Sequence, residues 1–409
     1  MNIDDYDMTN NSLTIPKRSL YNNNIDIPLP LNYTQFHRIF VKENIKNDRV
    51  LDPFPEQKEE AFNLEKELFE CLNLQWGIDI IAEDVPLILN EKSYYMHLVR
   101  TAKPDPNKNN FLFIHGFISS NLHFLGILPY IIKRYNVFIP DTIGMGLSSR
   151  PQIKFTSPTQ CEDYFIGIYQ LFIKSLFFEG RFNIKEEYYL CGHSLGGFIS
   201  SRYMLRFPLG IKKVLLLSPA GITDYNIPGT NFFQDNTCCF YCSAVCCPTF
   251  VWPCRFRVQS FYNCFICHDC IKNNYGAMEI KFDESEIKKN KDASKFIVNY
   301  EKISTIIKLL FIISLDYPKD LSKCIYYFFK TPPPAAFFPI EKNIMNYNKI
   351  PIIFAFEEKD WMDRVGAYRL SKFDPKKYKI FTVSKSGHSF TYENPKELCS
   401  IIAQYFEEE

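Results

Sequence analysis

The sequence predicts an α/β fold with a mostly parallel central sheet flanked by helices, and three observations support this prediction. From Asn110 onward, short apolar runs of strand length alternate with segments of helical length. One of these runs, residues 188–191, leads through a tight, glycine-bounded turn directly into a helix-compatible segment. The alternation stops at Ile222 and resumes at Pro351. Because strands that alternate with crossover helices usually run parallel, this order predicts a parallel sheet interrupted by one long insertion.

The elements before Asn110 are of a different kind. Residues 1–58 are rich in Asn, Asp and Pro and have little periodicity, which indicates an irregular N-terminal extension. Residues 59–72 place apolar side chains at helical spacing among charged ones, so they predict an amphipathic helix. Two strand-like runs follow, 78–89 and 94–101, and the polar turn between them predicts an antiparallel hairpin that opens the sheet.

The repeat itself supplies the remaining elements. Strands are predicted at 111–114, 136–140, 188–191, 214–217, 351–356 and 378–383. Helices are predicted at 122–133, 158–178, 198–207, 363–370 and 395–406. We therefore expect a core in two parts, 59–221 and 349–409, with residues 222–348 inserted between them. Long loops without a role are uncommon, so this cysteine-rich insertion is predicted to be a lid or cap.

Composition limits the classes of function. The chain has 409 residues, of which 46% are hydrophobic, so it can bury a substantial core. Its formal net charge of +1 gives no reason to expect a nucleic-acid partner. Residues 1–11 are polar and lack the apolar segment of a secretory signal. The apolar stretch 303–315 is interrupted by Lys308 and is shorter than the ~20 residues that span a bilayer. We expect an intracellular, cytoplasmic protein, soluble or peripherally bound to a membrane.

The turn after residues 188–191 carries the first chemical signal. Gly192-His193-Ser194-Leu195-Gly196 fits the pattern G-x-S-x-G between a strand and a helix. In that context the serine lies on a strained turn that exposes its Oγ at the end of the strand, and the flanking glycines give it room. The pattern also occurs by chance. It predicts a nucleophile only if the chain supplies an oxyanion hole, an acid and a base.

Two backbone N–H groups are candidates for the oxyanion hole. One belongs to Leu195, the residue after the serine, and the other to Phe117, in the loop after the strand at 111–114. His115 lies in the same loop, and we interpret it as a histidine satisfied by hydrogen bonds within the loop.

The acid and the base are predicted in the loops after the last two strands. Asp360 has the better spacing for the acid, and Asp363 is the reserve, although an N-cap of the next helix also explains Asp363. His388 follows Gly387 after the last strand and is the predicted base. The chain order Ser194, Asp360, His388 is that of the nucleophile, acid and base in α/β hydrolases, so the α/β-hydrolase fold is predicted.

Four segments form a recognisable set: His115-Gly116-Phe117, the run from Asp141 to Pro151, the run from Gly192 to Phe198 and Asp360-Trp361-Met362-Asp363. They resemble one subfamily of α/β hydrolases, which includes the lipid-droplet lipase coactivator, the N-acyl-phospholipid lipase and mitochondrial cardiolipin lipases. The resemblance covers roughly 59–221 and 351–406. It implies a serine hydrolase that cleaves an acyl ester of a phospholipid, lysophospholipid or acylglycerol through an acyl-enzyme on Ser194. It implies no cofactor, and a membrane or lipid-droplet surface as the place of action.

The resemblance leaves two alternatives open. Members of the subfamily carry a His-x-x-x-x-Asp element linked to acyl transfer onto lysophosphatidic acid, and here the element runs from His388 to Glu393 with Glu in place of Asp. A CoA-dependent acyltransferase is therefore one alternative. We prefer to interpret His388 as the triad base and Glu393 as a carboxylate near a helix start. The other alternative is a non-catalytic coactivator, but that branch lacks the nucleophile and this chain keeps Ser194.

The insertion contains most of the cysteines. Nine of the 14 lie close together: Cys238, Cys239, Cys242, Cys246, Cys247, Cys254, Cys264, Cys267 and Cys270. Membrane or lipid contact with S-palmitoylation is the first interpretation, because residues 238–254 are uncharged and rich in aromatics. A zinc site is the second, with Cys264, Cys267, His268 and Cys270 as weak candidate ligands. A simply buried, apolar lid is the third.

Overall fold

The computed structural model describes residues 50–51, 55–89, 92–117, 119–182, 187–226, 324–329, 336–358, 360, 362–388 and 390–407, with parts of 302–313. The extension before residue 50 and the whole cysteine-rich segment 238–270 lie outside the described residues. The predictions for those two regions, including the candidate zinc ligands, concern residues outside this description.

Eight strands form one sheet, in the order β10-β9-β8-β7-β4-β5-β3-β2. They are β2 (Ile80–Leu89), β3 (Lys92–Thr101), β4 (Asn110–Ile114), β5 (Asn136–Pro140), β7 (Tyr188–His193), β8 (Ile211–Leu217), β9 (Ile352–Glu357) and β10 (Tyr378–Val383). Neighbours from β10 to β5 run parallel, while β2 and β3 form the predicted antiparallel hairpin at one edge. Two short strands, β1 (Val50–Leu51) and β6 (Arg150–Pro151), pair separately. The predicted parallel sheet is confirmed.

Helices flank this sheet. They are α1 (Pro55–Cys71), α2 (Leu128–Ile131), α3 (Pro158–Phe178), α4 (Leu195–Arg206), α5 (Ile325–Phe328), α6 (Glu341–Tyr347), α7 (Val365–Phe373), α8 (Phe390–Glu393) and α9 (Pro395–Phe406). The bounds predicted for α3 and α9 are confirmed. Each of these helices begins with a side-chain cap followed by proline, which fixes its start. Ser157 accepts a hydrogen bond from Gln160 N–H, and Asn394 accepts one from Glu397 N–H. No helix among the described residues is long and apolar enough to cross a membrane.

The prediction of a single helix at 122–133 is wrong. The chain forms a 3-10 turn, Asn121–Phe124, and then the short helix α2. Gly126 lies between them and packs against the backbone of α8, where an added Cβ would lie 2.1 Å from the Thr391 carbonyl oxygen. Pro129 provides no N–H for a continuous helix. Contact with a distant part of the chain has therefore overridden the local helical pattern.

The core lies on both faces of the sheet. Successive residues of β4 face opposite sides, so Leu112 packs with α3 and α4 while Phe111 packs with α1 and α9. The described parts of the insertion join both faces. Buried residues of the 303–313 segment belong to the core on the Phe111 face of the sheet, and Phe328 of α5 belongs to the core on the Leu112 face. These parts are built into the core of the α/β domain.

His97, on β3, is fully buried between two carboxylates. Its Nε2 lies 2.8 Å from Glu65 Oε2 of α1, and its Nδ1 lies 3.1 Å from Asp84 Oδ1 of β2. Burial lowers the pKa of His97, but the two carboxylates outweigh burial and raise this pKa to about 10. His97 is therefore a charged imidazolium at neutral pH, and it ties α1 to the antiparallel edge of the sheet.

Candidate active site

Ser194 lies on a strained turn at the carboxyl end of β7. Its φ of 53° and ψ of −116° are unusual for a residue with a side chain. The turn is fixed from both sides, because Ser194 N–H donates to Leu217 O at 2.9 Å and Ala220 N–H donates to Ser194 O at 3.0 Å. A Cβ on Gly192 would lie 2.4 Å from the Gly196 carbonyl oxygen. The pattern therefore forms the strained turn between strand and helix that it predicts, and the role of Ser194 as nucleophile stays a prediction.

The two candidate oxyanion donors lie on either side of this turn. Leu195 is the first residue of α4, so its N–H has no carbonyl partner within the helix. The loop that carries Phe117 approaches the serine closely, since a Cβ on Gly116 would lie 3.2 Å from Ser194 Cβ. Phe117 itself is half-buried against the core. Both donors are thus on segments in contact with Ser194.

His115 holds that loop in place. Thr142 N–H donates to its Nε2 at 2.9 Å, and its Nδ1–H donates to Gly116 O at 2.8 Å. Burial lowers the pKa of His115 to about 4, so the ring is neutral at physiological pH. Both ring nitrogens are occupied, Nδ1 within the loop and Nε2 by Thr142 of the loop after β5, so the interpretation of a histidine satisfied within its own loop is confirmed only for Nδ1.

The structure brings His388 to Asp360. His388 Nδ1 lies 3.0 Å from Asp360 Oδ1, and the Asp360 side chain is 0% exposed while that of His388 is 25% exposed. Burial by itself raises the pKa of Asp360, but the nearby His388 and hydrogen bonds to Asp360 outweigh it and hold the pKa below its usual range. Asp360 is therefore ionised and oriented toward the histidine.

Asp363, the reserve acid, has a different role. Its Oδ1 accepts from Val365 N–H at 2.7 Å, at the start of α7, and its Oδ2 accepts from the Tyr225 hydroxyl at 2.5 Å. The N-cap position is Arg364, so Asp363 binds the first N–H of α7 from one position earlier than the N-cap alternative predicts.

His193, the residue before Ser194, contacts the loop that carries His388. Its Nε2–H donates to the His388 carbonyl oxygen at 3.1 Å, and its ring stacks on that of His123 with 3.9 Å between centroids. Burial lowers the pKa of His123 to about 3 and that of His193 well below its usual value, so both rings are neutral. Sequence reasoning did not identify this contact, although the position beside Ser194 was visible.

Glu393 also holds the loop that carries His388, because its carboxylate accepts a hydrogen bond from Gly387 N–H. Thr391, from the same short helix α8, donates from its hydroxyl to the His123 carbonyl oxygen at 2.7 Å. The last residue of the His-x-x-x-x-Glu element thus holds the backbone next to His388, while Asp360 pairs with the His388 ring.

Glu357 and Ser218 complete the polar cluster, and sequence reasoning missed the role of both. Glu357 is the last residue of β9 and is 0% exposed. The Ser218 hydroxyl, at the end of β8, donates to Glu357 Oε2. The available signal was an acidic residue that ends a buried apolar strand.

His193, Glu357 and His388 also offer ligand atoms that lie within 4.8 Å of one another, a spacing compatible with a metal ion. Their known contacts are those of a hydrogen-bonded network, however, because His388 Nδ1 faces Asp360 and Glu357 accepts from Ser218. We therefore interpret this group as part of the Ser194 site.

Residues 109–235 match the family model of the α/β hydrolase fold. A probable 1-acylglycerol-3-phosphate O-acyltransferase of Oryza sativa is 21% identical over 74% of this chain and 68% of its own length. A 1-acylglycerol-3-phosphate O-acyltransferase of Saccharomyces cerevisiae is 24% identical over 60% of each chain. The human (lyso)-N-acylphosphatidylethanolamine lipase is 25% identical over 39% of this chain and 42% of its own length. The matches thus span less than two thirds of the yeast and human proteins.

Among solved structures, carboxylesterase CesB from Bacillus subtilis superposes with a TM-score of 0.52 at 12% identity, covering 86% of this chain and 98% of that one. A bacterial membrane phospholipase A superposes with a TM-score of 0.52 at 13% identity, covering 86% and 92%. Together with the family match and the sheet order, these similarities show that the chain has the α/β-hydrolase fold.

Proposed function

We propose that this protein is a serine hydrolase that cleaves an acyl ester of a lipid through an acyl-enzyme on Ser194. The observation that carries the proposal is the pairing of His388 Nδ1 with a buried, ionised Asp360 at 3.0 Å, in the loop next to the Ser194 elbow. An ionised acid on Nδ1 keeps the His388 proton there, so Nε2 is available as the acceptor that a general base needs.

The reaction follows from these roles. Ser194 Oγ attacks the ester carbonyl while its proton passes to His388 Nε2, and the N–H groups of Leu195 and Phe117 stabilise the oxyanion. The tetrahedral intermediate collapses, the ester C–O bond breaks, and His388 gives its proton to the leaving alcohol. Water then attacks the acyl-enzyme with His388 as base, which releases the acid and restores Ser194. No step requires a cofactor.

A lipid substrate is supported by the relatives, since the rice and yeast proteins are named for a lysophospholipid acyltransfer and the human one for a phospholipid lipase. A phospholipid, lysophospholipid or acylglycerol ester belongs to this proposal, as does action at a membrane or lipid-droplet surface. The predicted lid within residues 222–348, with its cysteine-rich segment as the lipid contact, is part of the same proposal.

Acyl transfer from acyl-CoA to lysophosphatidic acid is the second candidate, and the names of the rice and yeast relatives favour it. It uses the same acyl-enzyme with a different acceptor. The geometry gives the His388–Glu393 element no separate catalytic pair, because His388 pairs with Asp360 and Glu393 binds the Gly387 backbone. Hydrolysis is therefore our first candidate.

Labelling with a fluorophosphonate probe tests for the nucleophile. The probe phosphonylates an activated serine with loss of fluoride, so we expect stoichiometric labelling of the wild-type protein and none of Ser194→Ala. Ser400→Ala is the matched control, since Ser400 is exposed on α9, and it should label like the wild type. An unlabelled wild-type protein would contradict the proposal and favour the non-catalytic coactivator.

Product analysis separates the two enzymatic candidates. The purified protein is incubated with a panel of phospholipid, lysophospholipid and acylglycerol esters, and separately with acyl-CoA and lysophosphatidic acid. Release of free fatty acid that disappears in Ser194→Ala supports the hydrolase. Formation of phosphatidic acid without ester hydrolysis supports the acyltransferase.

A further inference from the structure

A second buried carboxyl group lies next to the triad acid. Glu357 is 0% exposed at the end of β9, and Ser218 donates its hydroxyl proton to Glu357 Oε2. Ser218 holds a φ of 40°, a conformation uncommon for residues other than glycine, and its N–H is fixed to Ala355 O at 2.9 Å. The chain thus keeps a strained residue in place where its hydroxyl reaches Glu357.

One oxygen of each carboxyl group in this pair accepts no hydrogen bond from the described part of the chain. They are Glu357 Oε1 and Asp360 Oδ2, and the two side chains lie within hydrogen-bonding reach of each other. Two carboxylates in contact cannot donate to each other, whereas one proton placed between them satisfies both oxygens. The same proton explains both orphaned atoms.

The charges around this pair decide which carboxyl holds the proton. Asp360 pairs with His388, while the described groups that face the Glu357 side chain, besides Asp360, are the neutral His193 and the His388 ring, both within 4.8 Å, and the Ser218 hydroxyl. Burial and then Asp360 raise the pKa of Glu357 well above its usual value. Arg364 does not offset this, because its guanidinium donates to the Glu357 backbone carbonyl at 2.9 Å.

We propose that Glu357 is a neutral carboxylic acid that donates a hydrogen bond to Asp360 and so positions the triad acid for His388. The proposal rests on the proposed function of Ser194, Asp360 and His388. With one Asp360 oxygen held by Glu357 and the other by His388, the carboxylate cannot rotate away from the imidazole. The donor also withdraws negative charge from Asp360, so less of that charge acts on the His388 imidazole.

The first test measures fluorophosphonate labelling rates as a function of pH. Glu357→Leu removes the donor, which leaves more negative charge on Asp360 beside the His388 imidazole. We expect the acid limb of the rate profile to move up by about one pH unit, so that rates well down this limb fall about tenfold. Glu357→Gln keeps a neutral donor and should stay within about threefold of the wild type. Glu187→Gln is the matched surface control, exposed at the opposite end of β7.

These variants separate positioning from folding. A variant that is merely less folded lowers the labelled fraction without moving the acid limb. An unmoved limb in Glu357→Leu, or a Glu357→Gln limb displaced like that of Glu357→Leu, would overturn the proposal.

The second test does not depend on activity. At pH 8, an infrared difference spectrum between wild type and Glu357→Gln should contain the C=O stretch of a protonated carboxylic acid, and that between wild type and Glu187→Gln should not. Absence of the band overturns the proposal for Glu357 even if Ser194 labels. If Ser194 fails to label but the band is present, the proposed function fails while the neutral Glu357 stands.

Discussion

At the scale of single residues, the site depends on glycines whose neighbours leave no room for a side chain. Gly196 follows Ser194 by two residues, and its backbone packs against the end of β4. Ser194 can hold its strained conformation only while this contact stays tight. The glycines are therefore as necessary to the elbow as the serine.

Gly196→Ala should destabilise the protein strongly, because the new Cβ would lie 2.2 Å from Ile114 O and 2.5 Å from His115 O. Neither backbone atom can move without disturbing β4 or the Phe117 loop. We expect a loss of about 3 kcal/mol or more in the free energy of unfolding, with loss of probe labelling at Ser194. Urea denaturation measures the first quantity.

Gly180→Ala is the control for that change. Gly180 has a φ of 67° but nothing within 4 Å of an added Cβ, so only the backbone conformation is penalised. A cost of about 1 kcal/mol with normal labelling is expected. Equal effects of the two substitutions would contradict the steric explanation.

At the scale of elements, two helical segments illustrate what the sequence could and could not reveal. The Ser-Pro start of α3 is a local signal, and the helix begins where that signal places it. The break at Gly126 depends on Thr391, which is distant in the chain, so no local pattern could reveal it. Elements with their own caps were predictable, and those shaped by remote contacts were not.

His97 makes the attachment of α1 sensitive to pH. Its folded pKa is about 10, above the ~6.5 of an unfolded chain, so its contribution is fully present below pH 6.5 and is lost as the pH rises through 10. Between these values we expect a loss on the order of 2–4 kcal/mol in the free energy of unfolding. Urea denaturation at pH 6.5 and pH 10 measures it.

His97→Gln isolates this effect, because glutamine cannot take up the proton. Its stability will be lower at pH 6.5, where Glu65 and Asp84 lose the imidazolium while Asp84 keeps Lys58, but the pH-dependent loss should be smaller than in the wild type. If the two proteins lose the same stability between pH 6.5 and pH 10, His97 is not the responsible group.

At the scale of the whole molecule, the site is assembled where neighbouring parallel strands end. The residues of the site end or follow strands at the carboxyl ends of the parallel strands: Ser194, Ser218, Glu357 and His388. Candidate residues at strand ends could thus be read from the sequence. The contacts of Glu357 with Ser218 and Asp360 could not, because they depend on the register between β8 and β9, where Leu217 pairs with Ala355.

The described end of the insertion is built into the same core, which predicts that it unfolds with the rest of the domain. Phe328 of α5 is 2% exposed and packs on Phe165 of α3 and Phe198 of α4, each with 5.4 Å between ring centroids. Phe328→Ala should therefore cost about 3–5 kcal/mol in the free energy of unfolding. Tyr326→Ala, at a neighbouring position that is 41% exposed, should cost about 1 kcal/mol or less.

Urea unfolding followed by circular dichroism and by fluorescence should give one coincident transition in all three proteins. A separate early transition, or a Phe328→Ala cost no larger than that of Tyr326→Ala, would show that α5 belongs to an independently folding cap.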